Sequence, residues 1–157
     1  MSLRQTVRQA GFTYLGLMVI IAIVNIVIAS TGEVWHMAMK REKERELLFV
    51  GDQFRRAINE YYTHTPPKAK RFPMSLGELL KDSRYPETQR YLRKIYMDPI
   101  TGDSKWGLVK GPEGEIFGVY SLSEEEPAKK GHFAPADRGF EGKMKYSDWI
   151  FMRAPIR

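Results

Sequence analysis

A chain of 157 residues with 25 Lys and Arg against 19 Asp and Glu carries a net charge of +6, and has room for one membrane anchor and one small domain. It contains no cysteine, which excludes disulfides and any thiolate nucleophile or metal site. The positive charge is concentrated between Lys68 and Lys110, whereas the rest is nearly balanced and holds the acidic run Glu124-Glu125-Glu126. In chain order, a polar leader with Arg4 and Arg8 comes first. An almost wholly apolar run from Phe12 to Ala29 follows, broken only by Thr13, Tyr14, Gly16 and Asn25. About 18 such residues make roughly 27 Å of helix, close to the hydrocarbon thickness of a bilayer. The two arginines favour a cytoplasmic N-terminus. The expectation is a single pass through a membrane, with everything after Ala29 outside the cytoplasm.

The helix is expected to continue past the membrane. From Glu33 to His64 there is no proline, and past Gly32 only Gly51 interrupts. Lys40 to Glu46 alternates charge as a solvated helix face does, with Arg41–Glu44 and Glu42–Arg45 as i,i+3 pairs. Leu47, Leu48, Val50, Phe54, Ile58, Tyr61 and Tyr62 then recur at helical spacing and predict a core-facing stripe. Pro66-Pro67 ends the helix. A helix from Phe12 to about Thr63 would measure roughly 78 Å; the alternative is a break near Ser30-Thr31-Gly32.

The remainder reads as a small globular head. Ser75-Leu76-Gly77-Glu78 has the form of a capping box ahead of Leu79 and Leu80. A second short helix is expected over Glu87 to Tyr96, and Asp98-Pro99-Ile100-Thr101-Gly102-Asp103 reads as a turn. Strands are expected over Lys105–Lys110, Glu115–Ser123 and Tyr146–Met152, the first two joined by Gly111-Pro112-Glu113-Gly114. The fold class is therefore α+β: a long N-terminal helix, half membrane and half amphipathic, packed on a small antiparallel sheet. Trp149 and Phe151 are expected on the Leu48/Phe54/Ile58 face. Glu124 to Gly142 is a long loop of the kind that carries function or joins neighbours.

Gly11-Phe12-Thr13-Tyr14-Leu15-Gly16-Leu17-Met18-Val19-Ile20-Ile21-Ala22-Ile23 resembles the type III signal of type IV pilins and type II secretion pseudopilins. The resemblance implies a pilin-like fold and four segments: a leader (1–11), a transmembrane helix (12–29), a stalk helix (30–64) and a periplasmic head (65–157). It also implies that a prepilin peptidase cuts between Gly11 and Phe12 and methylates the new amine of Phe12. The implied partners are that peptidase, other pilin-like subunits, an inner-membrane assembly platform and membrane lipid. One position departs from the pattern. Where the family usually has Glu, five residues into the mature chain, this chain has Gly16. That carboxylate is thought to pair with a neighbour's amine, since a charge in hydrocarbon is costly unless paired; its absence points to a minor or tip subunit of a secretion pseudopilus. The alternatives are a minor type IV pilin serving adhesion, motility or DNA uptake, and a membrane-tethered periplasmic binding domain that does not polymerise. A secretory signal cut after Val27-Ile28-Ala29 is a further reading of the same run.

Catalytic signals are lacking. His36, His64 and His132 show no metal-ligand spacing, and neither a G-x-S-x-G nucleophile nor a phosphate-binding glycine loop occurs. No enzyme activity and no cofactor are expected. Calcium is a possibility only at Asp98 and Asp103, where six to eight oxygens would be needed; a plain Asp98 cap on the proline turn is the simpler reading. The basic stretch between Lys68 and Lys94 interleaves with Phe72, Tyr85, Tyr91 and Tyr96, a pattern that could suit DNA or phospholipid head groups. Inward-pointing aromatics under a solvated basic face are the preferred reading, and nucleic acid is not expected as a partner.

Overall fold

The structure is a computed structural model that describes residues 10–65 and 70–153, and within the first helix the side chains of 14–25 and 35–63. Helix α1 runs Ala10–Thr63, so the backbone at Ser30-Thr31-Gly32 is helical, as expected, and the alternative break is not there. The chain forms two compact units, Met1–Met39 and Lys40–Arg157. In the first, the described side chains from Tyr14 to Val24 project from α1 without intramolecular cover. Among the described residues no helix carries an apolar stretch long enough to cross a membrane. Residues 14–25 amount to about 18 Å of helix, against about 30 Å of hydrocarbon; the other side chains of the expected 12–29 span lie outside the described residues.

The second unit is α+β. Its core forms where the amphipathic part of α1 meets a three-stranded antiparallel sheet, with β1 Gly107–Lys110, β2 Ile116–Tyr120 and β3 Phe151–Met152 in the order β1-β2-β3. Gly111 N donates to Glu115 O at 2.8 Å and Gly114 takes φ 88°, which closes the β1–β2 hairpin; glycine adopts that left-handed backbone without a Cβ penalty. β2 then pairs with β3 through Gly118↔Met152 and Val119↔Phe151. The helix stripe behaves as its spacing predicts: Leu47, Val50, Phe54, Ile58 and Tyr61 are buried, with Leu48 and Tyr62 half-buried at its margin. Burying such side chains is worth about 1.5–3 kcal/mol each before entropy is subtracted.

Three local expectations are corrected. The third strand shrinks to two residues, because Tyr146–Asp148 forms a 3-10 turn whose amides reach back to the preceding loop, Tyr146 N to Glu125 O and Ser147 N to Ser123 O. The helix expected over Glu87–Tyr96 does not form. Tyr91 N and Leu92 N both donate to Leu79 O at 2.9 Å, and Asp82 bridges Gln89, so this backbone is committed to α2 (Gly77–Leu80) and the turn after it. The capping box is absent as well. Glu78 N bonds the carbonyl of Ser75, no side chain caps α2, and the Glu78 carboxylate instead accepts the hydroxyl of Tyr61. Trp149 and Phe151 are both core residues in one cluster with Leu48, Phe54 and Ile58, as expected. Trp149 sits among Phe133, Phe140 and Tyr146, Phe151 lies against Gly51, and Phe54 faces Tyr96 and Trp106.

Candidate functional site

Two surfaces stand out. The first is the N-terminal apolar run. Tyr14, Leu15, Leu17, Met18, Val19, Ile20, Ile21, Ile23 and Val24 are 47–65% exposed. Nine large apolar side chains on consecutive turns far exceed the scattered exposure normal for a monomer surface, and a contiguous patch of this kind marks a surface covered by lipid or another chain. Among the described residues a Cβ added at Gly16 would meet nothing within 4 Å. Gly11 and Phe12 lie in the first turn of α1, and their side chains fall outside the described residues.

The second surface is built around Glu44, which is 3% exposed. Its Oε1 accepts Ala128 N at 2.6 Å, Lys129 N at 3.1 Å and the Tyr146 hydroxyl at 2.9 Å. The expected Arg41–Glu44 surface pair therefore does not exist, although Arg45–Glu42 does, at 2.9 Å. Burial, then the bond to Glu44, raises the pKa of Tyr146 above the ordinary phenol value. A second tie lies further along α1. Arg55 meets Asp137 at 2.6 Å and Asp52 at 3.3 Å, and it covers the ring of Phe151. Together these ties hold the long loop on the helix, with its Phe133 and Phe140 in the core and Pro135–Phe140 wound into a 3-10 helix. Glu44 escaped the sequence analysis because it stands in a charged run. One signal was available: it is three residues before Leu47 and seven before Gly51, on the buried face itself. Arg55 and Asp137 are 82 residues apart and left no such signal.

The C-terminal end of α1 carries a polar network. Arg84 stacks 3.7 Å over the centre of the Tyr61 ring, bonds Asp82 at 2.6 Å, donates to the Tyr61 carbonyl at 3.2 Å, and reaches the Thr65 hydroxyl. It thus satisfies carbonyl and hydroxyl groups that the end of a helix leaves free. Burial alone would raise the pKa of Asp82. The bonds from Arg84 and Tyr91 and the guanidinium charge outweigh it and hold the carboxyl below its ordinary range. Burial and then Asp82 push the Tyr91 phenol up to about 12.

The remaining sequence candidates are placed as follows. Asp98 is fully buried; its Oδ1 accepts Ile100 N at 2.9 Å and its Oδ2 the Ser121 hydroxyl at 2.6 Å, while Gly102 N returns to its carbonyl with φ 75° at Gly102. Asp103 is exposed and accepts Ser104 N. The two carboxylates belong to one turn, one buried and one exposed, and no group of three or more potential metal ligands occurs among the described residues. His36 and His132 are exposed, and His64 bonds the Glu60 carbonyl. In the basic stretch the aromatics are used internally. Phe72 stacks on Tyr62 and meets Phe117, Tyr91 bonds Asp82, Tyr85 bonds the His64 carbonyl, and Tyr96 edges Phe54. No protein-family model, curated protein or solved structure matches this chain.

Proposed function

We propose that this chain is a pilin-like structural subunit, a minor component of a type II secretion pseudopilus. It acts by assembly and not by catalysis. The observation that carries this reading is the uncovered apolar surface from Tyr14 to Val24, placed directly after the Gly11-Phe12 motif and ahead of an α+β unit. Such a surface is stable only against lipid or against like surfaces of other subunits. Transfer from bilayer to filament exchanges one apolar environment for another, so subunits can leave the membrane without stranding their apolar area in water. The peptidase, the assembly platform and other pilin-like subunits are the partners of this reading, and the inner membrane with a periplasmic head is its location. Gly16 supplies no carboxylate for a neighbour's amine, which is why we assign a low-copy position; quantifying the chain against the other subunits of purified filaments tests that assignment, and a dominant share contradicts it.

The deciding experiment is N-terminal sequencing with intact mass of the mature protein. A start at a methylated Phe12 is expected, and Gly11→Leu should leave the leader attached because the enzyme must approach the backbone closely there. A mature start at Met1 or Ser30 overturns the reading in favour of a tethered domain or an ordinary secreted one.

A further inference from the structure

Between α1 and the long loop lies a cavity of about 450 Å³ whose lining includes Arg41, Arg45, Lys129, Lys130 and His132, with Glu44 buried between them. The size falls within the range of small-molecule sites. Its two walls are brought together by a specific device. Arg41 and Arg45 are four residues apart and so project from one face of the helix. On the opposite wall, the amides of Ala128 and Lys129 are pinned to Glu44 Oε1, which fixes the chain just before Lys130-Gly131-His132. Three donors converge on that oxygen, so the one carboxylate within the site is already engaged by the fold.

The basic side chains have little else to hold them. Arg41 and Lys129 form no ion pair among the described residues, and Lys129 rests 5.1 Å over the Phe133 ring. Arg45 and Lys130 pair only with Glu42 and Glu126, all four at least 52% exposed at the side chain. Pairs of that kind are screened by solvent, contribute little and are readily exchanged for a better anion. His132 has φ 59°, the one positive value at a non-glycine residue among the described residues. That conformation is unfavourable for a residue with a Cβ, and such residues concentrate at ligand sites where the surroundings enforce them.

We propose that this cavity binds a phosphomonoester, with Arg41 and Arg45 gripping the phosphate from the helix and Lys129, Lys130 and His132 closing on it from the loop. Guanidinium pairs match the oxygens of a phosphate in two-point fashion, and lysines add point charge. A phosphate has oxygens enough to meet both walls at once, and the remaining volume takes the group it is esterified to. The source is either a soluble phosphoester or the head group of an acidic phospholipid. The assignment does not depend on the secretion reading and stands whichever N-terminus the mature protein has.

The test uses the full isotope-labelled chain in uncharged detergent micelles at constant ionic strength, because exposed charges are screened over about 8–10 Å in physiological salt. Backbone amides from Ala128 to Phe133 are followed by NMR while glycerol 3-phosphate is added in one arm and short-chain phosphatidic acid is doped into the micelles in the other. Saturable shifts confined to this loop and to the Arg41 turn are expected. Saturation in the first arm assigns a soluble ligand; saturation in the second alone assigns the lipid head group. The double variant Arg41→Gln/Lys129→Gln should bind about tenfold more weakly, the loss of one charge-assisted contact or more, while Arg93→Gln/Lys94→Gln, the same charge change elsewhere, should bind as the parent does. Lys129→Gln leaves its backbone amide on Glu44, so the fold is retained; if the double variant lost its native amide pattern, Arg41→Gln alone would carry the comparison. Linear, unsaturated shifts in both arms, or equal weakening by the two double variants, would overturn the proposal.

Discussion

Gly51 shows how a single residue can reverse a general rule. In a helix interior, glycine is about 1 kcal/mol worse than alanine, so Gly51→Ala should stabilise an exposed helix. Here a Cβ would come within 2.3 Å of the Phe151 ring, and that ring is fully buried beneath Arg55. Gly51→Ala is therefore expected to destabilise the protein by about 1–3 kcal/mol, the range for overpacking a core; a urea titration giving a midpoint at or above the parent's would show that Phe151 moves aside freely. Glu44 makes a complementary case. Glu44→Ala strands two amides and a hydroxyl at once, and should cost about 3 kcal/mol or more, since each buried unpaired group costs about 1–3 kcal/mol. Glu44→Gln keeps an acceptor oxygen at the same place and should lose clearly less. Equal melting temperatures for the Ala and Gln variants would mean that the loop is held by Phe133, Phe140 and the Arg55–Asp137 pair without help from Glu44. The sequence placed Glu44 on a charged surface because its neighbours are charged. Only its phase with Leu47 and Gly51 betrayed the buried face.

Among the elements, the end of α1 depends most visibly on charge. Asp82 is depressed in the folded protein, through Arg84 and Tyr91 acting against burial. A carboxyl of this kind contributes stability that is fully present above its unfolded pKa of about 3.9 and is lost as pH falls through the lower folded value. Unfolding free energy should thus decline below about pH 4, and Asp82→Asn should flatten that part of the decline. An acid limb unchanged by Asp82→Asn would place the titrating groups elsewhere. Tyr91 works at the other extreme, since its phenol is pushed up to about 12; its share is complete below about pH 10 and disappears as pH rises toward the folded value. The stripe of α1 and the β1–β2 hairpin were legible from period and turn chemistry, which are local properties. The missing helix over Glu87–Tyr96 and the shortened β3 were not. In both places the backbone amides found partners remote in sequence, Leu79 O in one and the carbonyls of Ser123 and Glu125 in the other, and a local pattern carries no record of such partners.

At the scale of the molecule, Trp149 is the point where loop, sheet and helix ties meet. Its ring stacks on Phe140 at 5.5 Å and meets Phe133 and Tyr146 edge-on, with no exposed surface. Trp149→Ala should cost about 3–5 kcal/mol and loosen the loop from Phe133 to Tyr146. The buried indole N–H has no hydrogen-bond partner among the described residues, so Trp149→Phe should cost much less, because it keeps the stacking and removes the stranded donor. Chemical denaturation of the three proteins checks both expectations, and a loss under about 1 kcal/mol for Trp149→Ala would place the ring outside the cooperative core. The sequence by itself determined the absence of thiol chemistry, the apolar N-terminal run, the amphipathic stripe from Leu47 to Tyr61 and the α+β order, because composition and periodicity are written residue by residue. Tertiary structure alone decided that Glu44 and Asp137 are anchors for a loop over 80 residues from their partners on or off α1, that Gly51 makes room for Phe151, and that Arg41 and Lys129 face one cavity. These are matters of which surfaces meet in space, and the free energy of burial acts on that meeting and not on distance along the chain.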